Sequence, residues 1–455
     1  MLADGTAQLQ LQPVKKSRTN NLVRLFVCIK QMVVFFHLPR TERSLKMKRI
    51  FKTIALAMTS VLLLSSCGVV RKQDQFVLST FFAVGGSADK QQYTKMLTLT
   101  KESGINLIEL TFLSGQALDT ALQVCEEIQL YNIAQDLTQY SGFGDQAPPF
   151  TDQIAEQTVQ NLQKYQYNIG FFVWDEPTME QFENTAKMKQ AFQKLAPQKL
   201  AFSCIYPSYG KYDWVSDRYP IYVDTYLKTV DPPVLSMDYY PYTDENSQLV
   251  GSSLWQDLGY LRKKSLETSK PFWFYFQAVG DLQNKTPEFM TVEKTKGQMY
   301  AALCYGVKGL SYYTSYGALV TESGEKSENY DALTAVNMRV KAMGNFLLNK
   351  TSQAVYQTGL GLRQENVYYL DHLADADFTV DTSGTLLIGL FTDDKNQYML
   401  IVNLQVNDTQ PTTGSITFPQ SVKATDFDTG QTQQTNTLSL TIEPAEAVLY
   451  TISNP

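Results

Sequence analysis

The sequence predicts an α/β protein in which a (β/α)8 TIM barrel is followed by a small antiparallel β-sandwich domain. Eight apolar runs of strand length recur between residues 76 and 313. The segments between these runs carry apolar residues at helical spacing, as at Tyr93, Met96 and Leu97. From about residue 354 the helical period disappears, and short alternating runs take its place. Together these three observations predict the two domains in that order along the chain.

The eight barrel runs are nearly all apolar or aromatic, which is typical of parallel strands buried on both faces. They occupy residues 76–84, 106–112, 128–135, 169–174, 200–205, 234–240, 272–276 and 309–313. Eight strands that alternate with helices over about 240 residues match a barrel in number and in length. An open doubly wound sheet is the alternative, but no glycine-rich phosphate loop follows the first run, which disfavours a nucleotide-binding version. The barrel domain is therefore assigned to residues 76–350.

The C-terminal runs are shorter and alternate between apolar and polar residues. They occupy residues 386–391, 397–404, 415–418 and 447–452, with turn-like sequences at 393–396 and 428–430. This pattern favours antiparallel strands joined by tight turns. Residues 351–455 are therefore assigned to the β-sandwich domain.

An export signal is predicted at residues 47–67. Met47-Lys48-Arg49 precedes an apolar run from Ile54 to Leu64, which is too short to be a permanent membrane span. The run ends in Leu64-Ser65-Ser66-Cys67-Gly68, which resembles the bacterial lipobox. The resemblance implies cleavage before Cys67, a lipid on its thiol, and a mature protein anchored in the bacterial cell envelope outside the cytoplasm. A plain secretory signal that happens to end in cysteine is the alternative.

The residues on either side of this signal are not expected to belong to the fold. Residues 1–46 are basic, and Arg24 and Lys30 interrupt their apolar patch. We expect Met47 to be the true start and residues 1–46 to be an upstream extension that is not native. Residues 68–75 are polar and are expected to form a tether.

Charge and composition exclude several classes of function. The formal net charge of −6 argues against nucleic acid as a partner, because nucleic-acid binding needs a basic surface. The two histidines, His37 and His372, lie in no catalytic motif, and the five cysteines show neither metal-site nor redox-pair spacing. We therefore predict no cofactor and no metal, and we expect carboxylates and tyrosines to carry out any proton transfer.

The most informative stretch is Trp174-Asp175-Glu176-Pro177, at the end of the fourth run. In a barrel of alternating strands and helices, reactive side chains lie at the carboxyl ends of the strands. Asp175 and Glu176 are therefore candidate catalytic residues. An ordinary surface turn is the alternative interpretation of the same four residues.

Other predicted strands also end in polar or aromatic side chains, and a closed barrel would bring these to one rim. The candidates are Asp238 for catalysis, and Glu109, Tyr206, Tyr240, Tyr242, Trp273, Gln277 and Tyr313 for substrate binding. Carboxylates in an aromatic-walled cleft are typical of glycosidic bond cleavage, because burial keeps one acid protonated. Structural roles remain open for several of them: Glu109 could pair with a buried base, Asp238 could cap a loop, and Trp273 could belong to the core.

The arrangement of 174–177, Asp238-Tyr239-Tyr240-Pro241-Tyr242, Gln277-Ala278 and 305–310 resembles the TIM-barrel glycoside hydrolases over most of residues 76–350. The resemblance implies that Glu176, after the fourth strand, is the acid/base. Retaining members of the largest clan have Asn-Glu there and a second glutamate at the end of the seventh strand. This chain has Asp-Glu and Gln277 instead, a departure from the two-glutamate mechanism.

The adjacent Asp-Glu also resembles the family 20 and family 123 hexosaminidases. In those enzymes the aspartate orients the 2-acetamido group of the substrate, which acts as the nucleophile, and the glutamate is the acid. The resemblance implies these roles for Asp175 and Glu176, with a tyrosine such as Tyr240 assisting.

The sequence therefore predicts a surface-anchored glycoside hydrolase that cleaves O-glycosidic bonds in oligo- or polysaccharides. Glu176 would be the general acid/base with Asp175 assisting, or Asp238 would act as base in an inverting reaction. The predicted partners are a carbohydrate substrate and, through the lipid anchor, the membrane. A catalytically inactive carbohydrate-binding lipoprotein is the second hypothesis, and a structural or adhesion protein is the third.

Overall fold

A computed structural model of the chain describes residues 73–86, 89–142, 150–210, 213–250, 252–393 and 395–455; the side chains of 213–217 are not described. The predicted signal with Cys67, the upstream extension 1–46 and most of the predicted tether lie outside these residues. None of the described helices is both long and apolar enough to cross a membrane.

Eight parallel strands form the first sheet of the described residues, in the order β5-β4-β3-β2-β1-β8-β7-β6. They are β1 Val77–Phe81, β2 Leu107–Leu110, β3 Tyr131–Ala134, β4 Asn168–Asp175, β5 Leu200–Cys204, β6 Leu235–Tyr239, β7 Phe272–Gln277 and β8 Gly309–Tyr313. The remaining gap between β5 and β6 is bridged where Ile205 pairs with Met237 and donates its N–H to the Ser236 carbonyl at 3.0 Å. The sheet is therefore a nearly closed barrel, and the predicted fold class is confirmed.

Helices connect successive barrel strands and cover the outside of the barrel. The α-helices of more than four residues in the described chain are α1 Lys90–Glu102, α2 Gly115–Ile128, α3 Asp152–Leu162, α4 Phe182–Leu195, α5 Asp213–Thr229, α6 Leu254–Thr268, α7 Val292–Cys304, α8 Tyr330–Leu347 and α9 Leu362–Val367. Short polar side chains fix several of the starting points. Asp89 accepts the N–H of Gln91 at 2.8 Å before α1, and Thr291 accepts the N–H of Lys294 at 3.1 Å before α7.

The barrel interior is filled by side chains that alternate along the strands. Phe172 of β4, Phe202 of β5 and Trp273 of β7 belong to one buried cluster, with ring centroids 5.5–5.8 Å apart between neighbours. The intervening residues point outward into a larger core shared with the helices. The interior is therefore packed rather than hollow, and space for a ligand remains only above it, at the carboxyl ends of the strands.

The C-terminal domain is one antiparallel sheet that folds onto itself. Its strands are β9 Thr351–Gln357, β10 Thr379–Thr382, β11 Leu386–Thr392, β12 Gln397–Asn403, β13 Thr412–Asp426, β14 Thr432–Ile442 and β15 Ala447–Ser453. The 15-residue β13 pairs with β14 along most of its length, and on its other edge it pairs with β10 over its first part and with β15 near its end. Side chains of β11 and β12 thereby pack against those of β13 and β14 in one core, which gives the sandwich-like domain expected from the sequence.

This sheet packs against α7 and α8 of the barrel. Arg339 on α8 forms ion pairs with Asp428 at 2.6 Å and with Glu446 at 2.8 Å, and Lys296 on α7 also reaches Glu446 at 2.8 Å. Residues 76–455 accordingly form one compact unit.

Candidate active site

A cavity of about 360 Å³ opens at the carboxyl ends of the barrel strands. The described residues that line it are Phe81, Phe82, Phe112, Asp175, Glu176, Cys204, Asp238, Tyr240, Tyr275, Leu282, Lys285 and Tyr313. Three of these side chains are carboxylic acids and six are aromatic. Of the residues proposed from the sequence, Asp175, Glu176, Asp238, Tyr240 and Tyr313 all contribute to this cavity.

A bulge in β4 brings Asp175 into the cavity. Phe172 pairs with Phe202, but the next pair is Trp174 with Ser203, so Val173 is an extra residue. Because side chains alternate across a strand, the extra residue turns Trp174 outward and Asp175 inward. Without the bulge, Trp174 would occupy the interior face.

The loop after β3 stabilises this bulge. The Asp175 N–H donates to the Gly142 carbonyl at 2.8 Å instead of completing the strand ladder. A Cβ atom at residue 142 would lie only 2.2 Å from the Val173 carbonyl oxygen, so glycine is needed for this close approach. The orientation of Asp175 therefore depends on a segment more than 30 residues earlier in the chain.

Glu176 adopts a left-handed backbone conformation with φ 49°. For a residue other than glycine this conformation costs roughly 1–2 kcal/mol. The Glu176 N–H donates to the Cys204 carbonyl at 2.9 Å, and Pro177 follows directly. The turn ends β4 and leaves the Glu176 carboxylate on the cavity wall, partly open to solvent.

Asp238 lies on the inner face of β6, in register with Tyr275 of β7. Its side chain is 8% exposed, and its carboxyl group is hydrogen-bonded by Tyr240. Its Oδ1 atom has no hydrogen-bond partner among the described residues. Burial raises the pKa of Asp238, against the opposing effect of the Tyr240 hydrogen bond.

Burial also raises the pKa of Asp175 well above its usual value, and the negative charges of Asp238 and Glu109 add to the effect. The three acids that line the cavity, Asp175, Glu176 and Asp238, also act together on the pKa of Tyr313. The pKa of Tyr313 rises to about 12 through burial and then through the charges of Asp175, Asp238 and Glu176. The three carboxyl groups are therefore close enough to share one electrostatic environment.

Glu109 lies beneath the cavity rather than on its surface. Its carboxylate accepts hydrogen bonds from the Tyr275 hydroxyl, from Ser311 at 3.2 Å and from Ser79 at 3.3 Å. Burial raises its pKa to about 7, although these three hydrogen bonds oppose the shift. No described lysine or arginine forms an ion pair with it, and it contacts the cavity through Tyr275.

Gln277 and Tyr242, both proposed as substrate contacts, do not line the cavity. The Gln277 amide accepts the Tyr242 N–H at 2.9 Å and donates to the carbonyls of Tyr242 at 2.9 Å and Val279 at 3.2 Å. The Tyr242 hydroxyl donates to the Lys294 carbonyl at 3.2 Å. Both side chains are used to hold the loops after β6 and β7.

Trp273 and Tyr206, also proposed as substrate contacts, do not line the cavity either. Trp273 lies near the start of β7, deep in the barrel interior against Phe202. The Tyr206 ring packs toward Tyr222 of α5, with ring centroids 6.5 Å apart. Trp273 is thus a core residue, which was the structural alternative to substrate binding.

The cavity lining also includes residues that were not predicted from the sequence: Phe81, Phe82, Phe112, Cys204, Leu282 and Lys285. Phe82 and Phe112 follow β1 and β2 and have φ values of 53° and 59°. Strand alternation does not predict such left-handed residues. Leu282 and Lys285 lie in the long β7–α7 loop, where no periodic pattern exists. Among the described residues, no group of three or more histidine, cysteine, aspartate or glutamate side chains could hold a metal ion.

No family model and no curated protein matches the sequence. Solved structures do match the fold. A glycoside hydrolase family 5 protein from Bacteroides vulgatus superposes with a TM-score of 0.50 at 10% identity, covering 84% of this chain and 89% of that one. A GH30 endoxylanase from Clostridium papyrosolvens gives a TM-score of 0.44 at 10% identity, covering 85% and 97%. The superposition on the family 5 protein shows that the chain shares the fold of that structure.

Proposed function

We propose that this protein is a glycoside hydrolase that cleaves O-glycosidic bonds in oligo- or polysaccharides, with Glu176 as the general acid/base. The observation that carries the proposal is the convergence of Asp175, Glu176 and Asp238 in one aromatic-walled cavity at the carboxyl ends of the barrel strands. The fold that the chain shares with the family 5 glycoside hydrolase supports it.

The electrostatics of the cavity suit general acid catalysis. Burial and the neighbouring negative charge disfavour ionisation of Asp175, and burial disfavours ionisation of Asp238. Among the described residues that line the cavity, Lys285 is the one basic side chain. The raised pKa values of Asp175 and Asp238 favour a protonated carboxyl group in the cavity near neutral pH, which is the environment that general acid catalysis needs.

We assign the donor role to Glu176 because it directly follows the fourth strand, where the hydrolases that the chain resembles carry the acid/base, and because it lines the cavity. Two roles then remain for the other acids. Asp238 accepts a proton from the attacking water in an inverting reaction, or Asp175 orients a 2-acetamido group that attacks the anomeric carbon. Residue 277 at the end of β7 is a glutamine, so this position offers no carboxylate nucleophile. Its amide donates to the backbone carbonyls of Tyr242 and Val279.

The proposal includes a location. The lipobox-like sequence that ends at Cys67 supports a lipid anchor, and the enzyme would act outside the cytoplasm on the cell envelope.

A second candidate is a carbohydrate-binding lipoprotein without catalysis. The observation that favours it is the same Gln277, which replaces the second glutamate of the two-glutamate hydrolases that the chain resembles.

A substrate screen of the soluble protein from residue 68 onward tests the proposal. Aryl glycosides with and without a 2-acetamido group, and natural glycans, are incubated with the wild type and with the double variant Asp175→Asn/Glu176→Gln. Hydrolysis by the wild type that the double variant lacks supports a hydrolase. If the single variant Asp175→Asn loses activity only on substrates with a 2-acetamido group, this supports the role of Asp175 in orienting that group. Glycan binding without turnover across the whole panel favours the binding protein.

A further inference from the structure

One side of the cavity is closed by a continuous series of contacts. We call it the wall and define it by Tyr240, Tyr313, Leu282, Lys285, Phe82 and Phe112. These residues follow or end β6, β8, β7, β1 and β2, which are five neighbouring strands in the barrel order. Asp175 and Glu176 lie opposite the wall, at the end of β4.

The first part of the wall joins β6, β7 and β8. The rings of Tyr240 and Tyr313 lie 4.9 Å apart between centroids, and they span the end of β7. The Tyr313 hydroxyl donates to the Leu282 carbonyl at 3.0 Å, which ties the β7–α7 loop to the end of β8. Tyr240 is fixed in turn because its N–H donates to the Tyr209 hydroxyl at 2.9 Å.

The second part joins that loop to β1 and β2. The Lys285 ammonium lies over the Phe82 ring, 4.3 Å from its centroid. The Phe82 and Phe112 rings follow at a centroid distance of 5.7 Å. A cation over an aromatic face contributes roughly 0.5–1 kcal/mol at an exposed site. Together with the loop backbone from Leu282 to Lys285, these contacts link Tyr240 to Phe112.

Hydrogen bonds within the β7–α7 loop stabilise the turn that carries Lys285. The Asp281 carboxylate accepts the N–H groups of Gln283 at 2.8 Å and Asn284 at 2.9 Å, and the Asp281 carbonyl accepts the Lys285 N–H at 2.8 Å. Gly317 lets the loop approach β8, because a Cβ atom there would lie 1.8 Å from the Lys285 carbonyl oxygen. The wall is thus built into the fold.

The size of the cavity agrees with this closed shape. At about 360 Å³ it lies near the lower end of the range of roughly 300–1,000 Å³ found for small-ligand sites. A polysaccharide bound along an open groove would have to leave the mouth of the barrel on both sides of the acids. The wall blocks one of those sides.

We propose that the site is a blind pocket for one terminal sugar residue, so that the protein removes sugars from a chain end rather than cutting within the chain. The inference rests on the proposed hydrolase function, which it deepens. The terminal ring stacks against the wall, and the scissile oxygen faces Glu176. The remainder of the glycan extends away from the wall into solvent.

Product analysis is the first test. The wild type is incubated with end-labelled hexasaccharides of the cello-, xylo- and chito-oligosaccharide series, and early products are separated by length. We expect the monosaccharide and the pentasaccharide to appear first. Early di-, tri- and tetrasaccharides would show cleavage within the chain and would overturn the blind pocket while leaving the hydrolase intact. Absence of hydrolysis across the substrate panel would instead count against the proposed function.

Binding measurements test the pocket independently of turnover. Calorimetry with Glu176→Gln and the same mono- to hexasaccharides should show affinity that stops improving beyond the disaccharide, with less than about a threefold further change. Affinity that keeps rising up to the hexasaccharide would mean a groove.

A variant that opens the wall completes the test. Adding Phe82→Ala to Glu176→Gln removes the contacts with Lys285 and Phe112, so longer oligomers should then bind more tightly than the disaccharide. The matched control is Phe289→Ala, which removes a ring outside the wall that also has a lysine ammonium over it, at 5.4 Å. An unchanged plateau with Phe82→Ala would overturn the assignment of the wall as the limit on length.

Discussion

Asp175 stands in register with Cys204, and not with Ile205, because Val173 is an extra residue in β4. Cys204 faces the barrel interior, so its partner Asp175 faces the interior too. The bulge therefore gives the site a second carboxylate beside Glu176 and removes the Trp174 ring from the mouth. β-bulges next to functional sites commonly redirect a side chain in this way.

Replacing the proposed acid should slow the hydrolysis of natural sugars most. Glu176→Gln keeps the shape of the side chain and removes its proton, and the loss of general acid catalysis costs ~10²–10⁴-fold in rate. Aryl glycosides with good leaving groups need little protonation and should lose less. Initial rates on both substrate types measure the difference, with the exposed Glu180→Gln as control. Full activity of Glu176→Gln on natural sugars would remove the catalytic assignment.

The pH dependence should change when Asp238 loses its charge. Burial is the larger cause of the raised pKa of Asp175, and the charge of Asp238 is the next. Asp238→Asn removes that charge, so the pKa of Asp175 should fall and its ionisation should move to lower pH. The measurement is kcat/KM against pH for residual hydrolysis of an activated aryl glycoside. The surface variant Asp152→Asn should leave the pH dependence of kcat/KM unchanged. If Asp238→Asn also left it unchanged, the effect of the Asp238 charge on Asp175 would be contradicted.

Glu109 should make the fold less stable as the pH rises. Its pKa is about 7 in the folded chain because of burial, above the ordinary value of about 4.3. Between these two values the folded state holds a proton that the unfolded state has lost, so stability falls as pH rises through this window, by on the order of 3 kcal/mol in total. Urea unfolding from pH 5 to 8 should show a shallower decline for Glu109→Gln. Other buried acids also contribute to the decline of stability with pH, so Glu109→Gln should keep part of it. The exposed Glu183→Gln should show the same decline as the wild type.

Restoring a glutamate at the end of β7 should not create a nucleophile. In Gln277→Glu the carboxylate would face the carbonyls of Tyr242 and Val279, to which the amide now donates. Two lost donors and a buried charge should cost roughly 2–5 kcal/mol of stability. Thermal unfolding and the substrate panel check this, with the exposed Gln283→Glu as control. Higher activity without loss of stability would show that residue 277 reaches the substrate.

The lipid anchor has a separate test in cells. Cys67 supplies the thiol of the lipobox-like sequence, so Cys67→Ser should block lipid attachment and release the protein from membranes or stop signal processing. Detergent phase partitioning of cell fractions measures this. Unchanged membrane association would rule out an anchor at Cys67, and Cys125→Ser, at a buried cysteine of the barrel, is the matched control.

The sequence alone determined the barrel and the strands that carry the acids. Apolar runs and helical spacing are local patterns, and a parallel strand must be covered on both faces, so eight such runs indicate a barrel. Asp238 and Tyr313, proposed from the ends of the sixth and eighth runs, line the cavity, as do Asp175 and Glu176, proposed from the end of the fourth run. Chain order predicts which strands carry these residues, whereas the inward orientation of Asp175 also needs the bulge in β4.

Tertiary structure alone decided which of the other rim residues reach the cavity. The Gln277 amide is hydrogen-bonded to backbone groups of the loop after β6. Trp273 lies near the start of β7, too far from the cavity to line it. The bulge before Asp175 needs the Gly142 carbonyl from a different loop, and the wall needs Lys285 over Phe82, residues far apart in sequence. Hydrogen bonds and ring contacts between distant segments leave no period in the chain, so they become visible only once the barrel has closed.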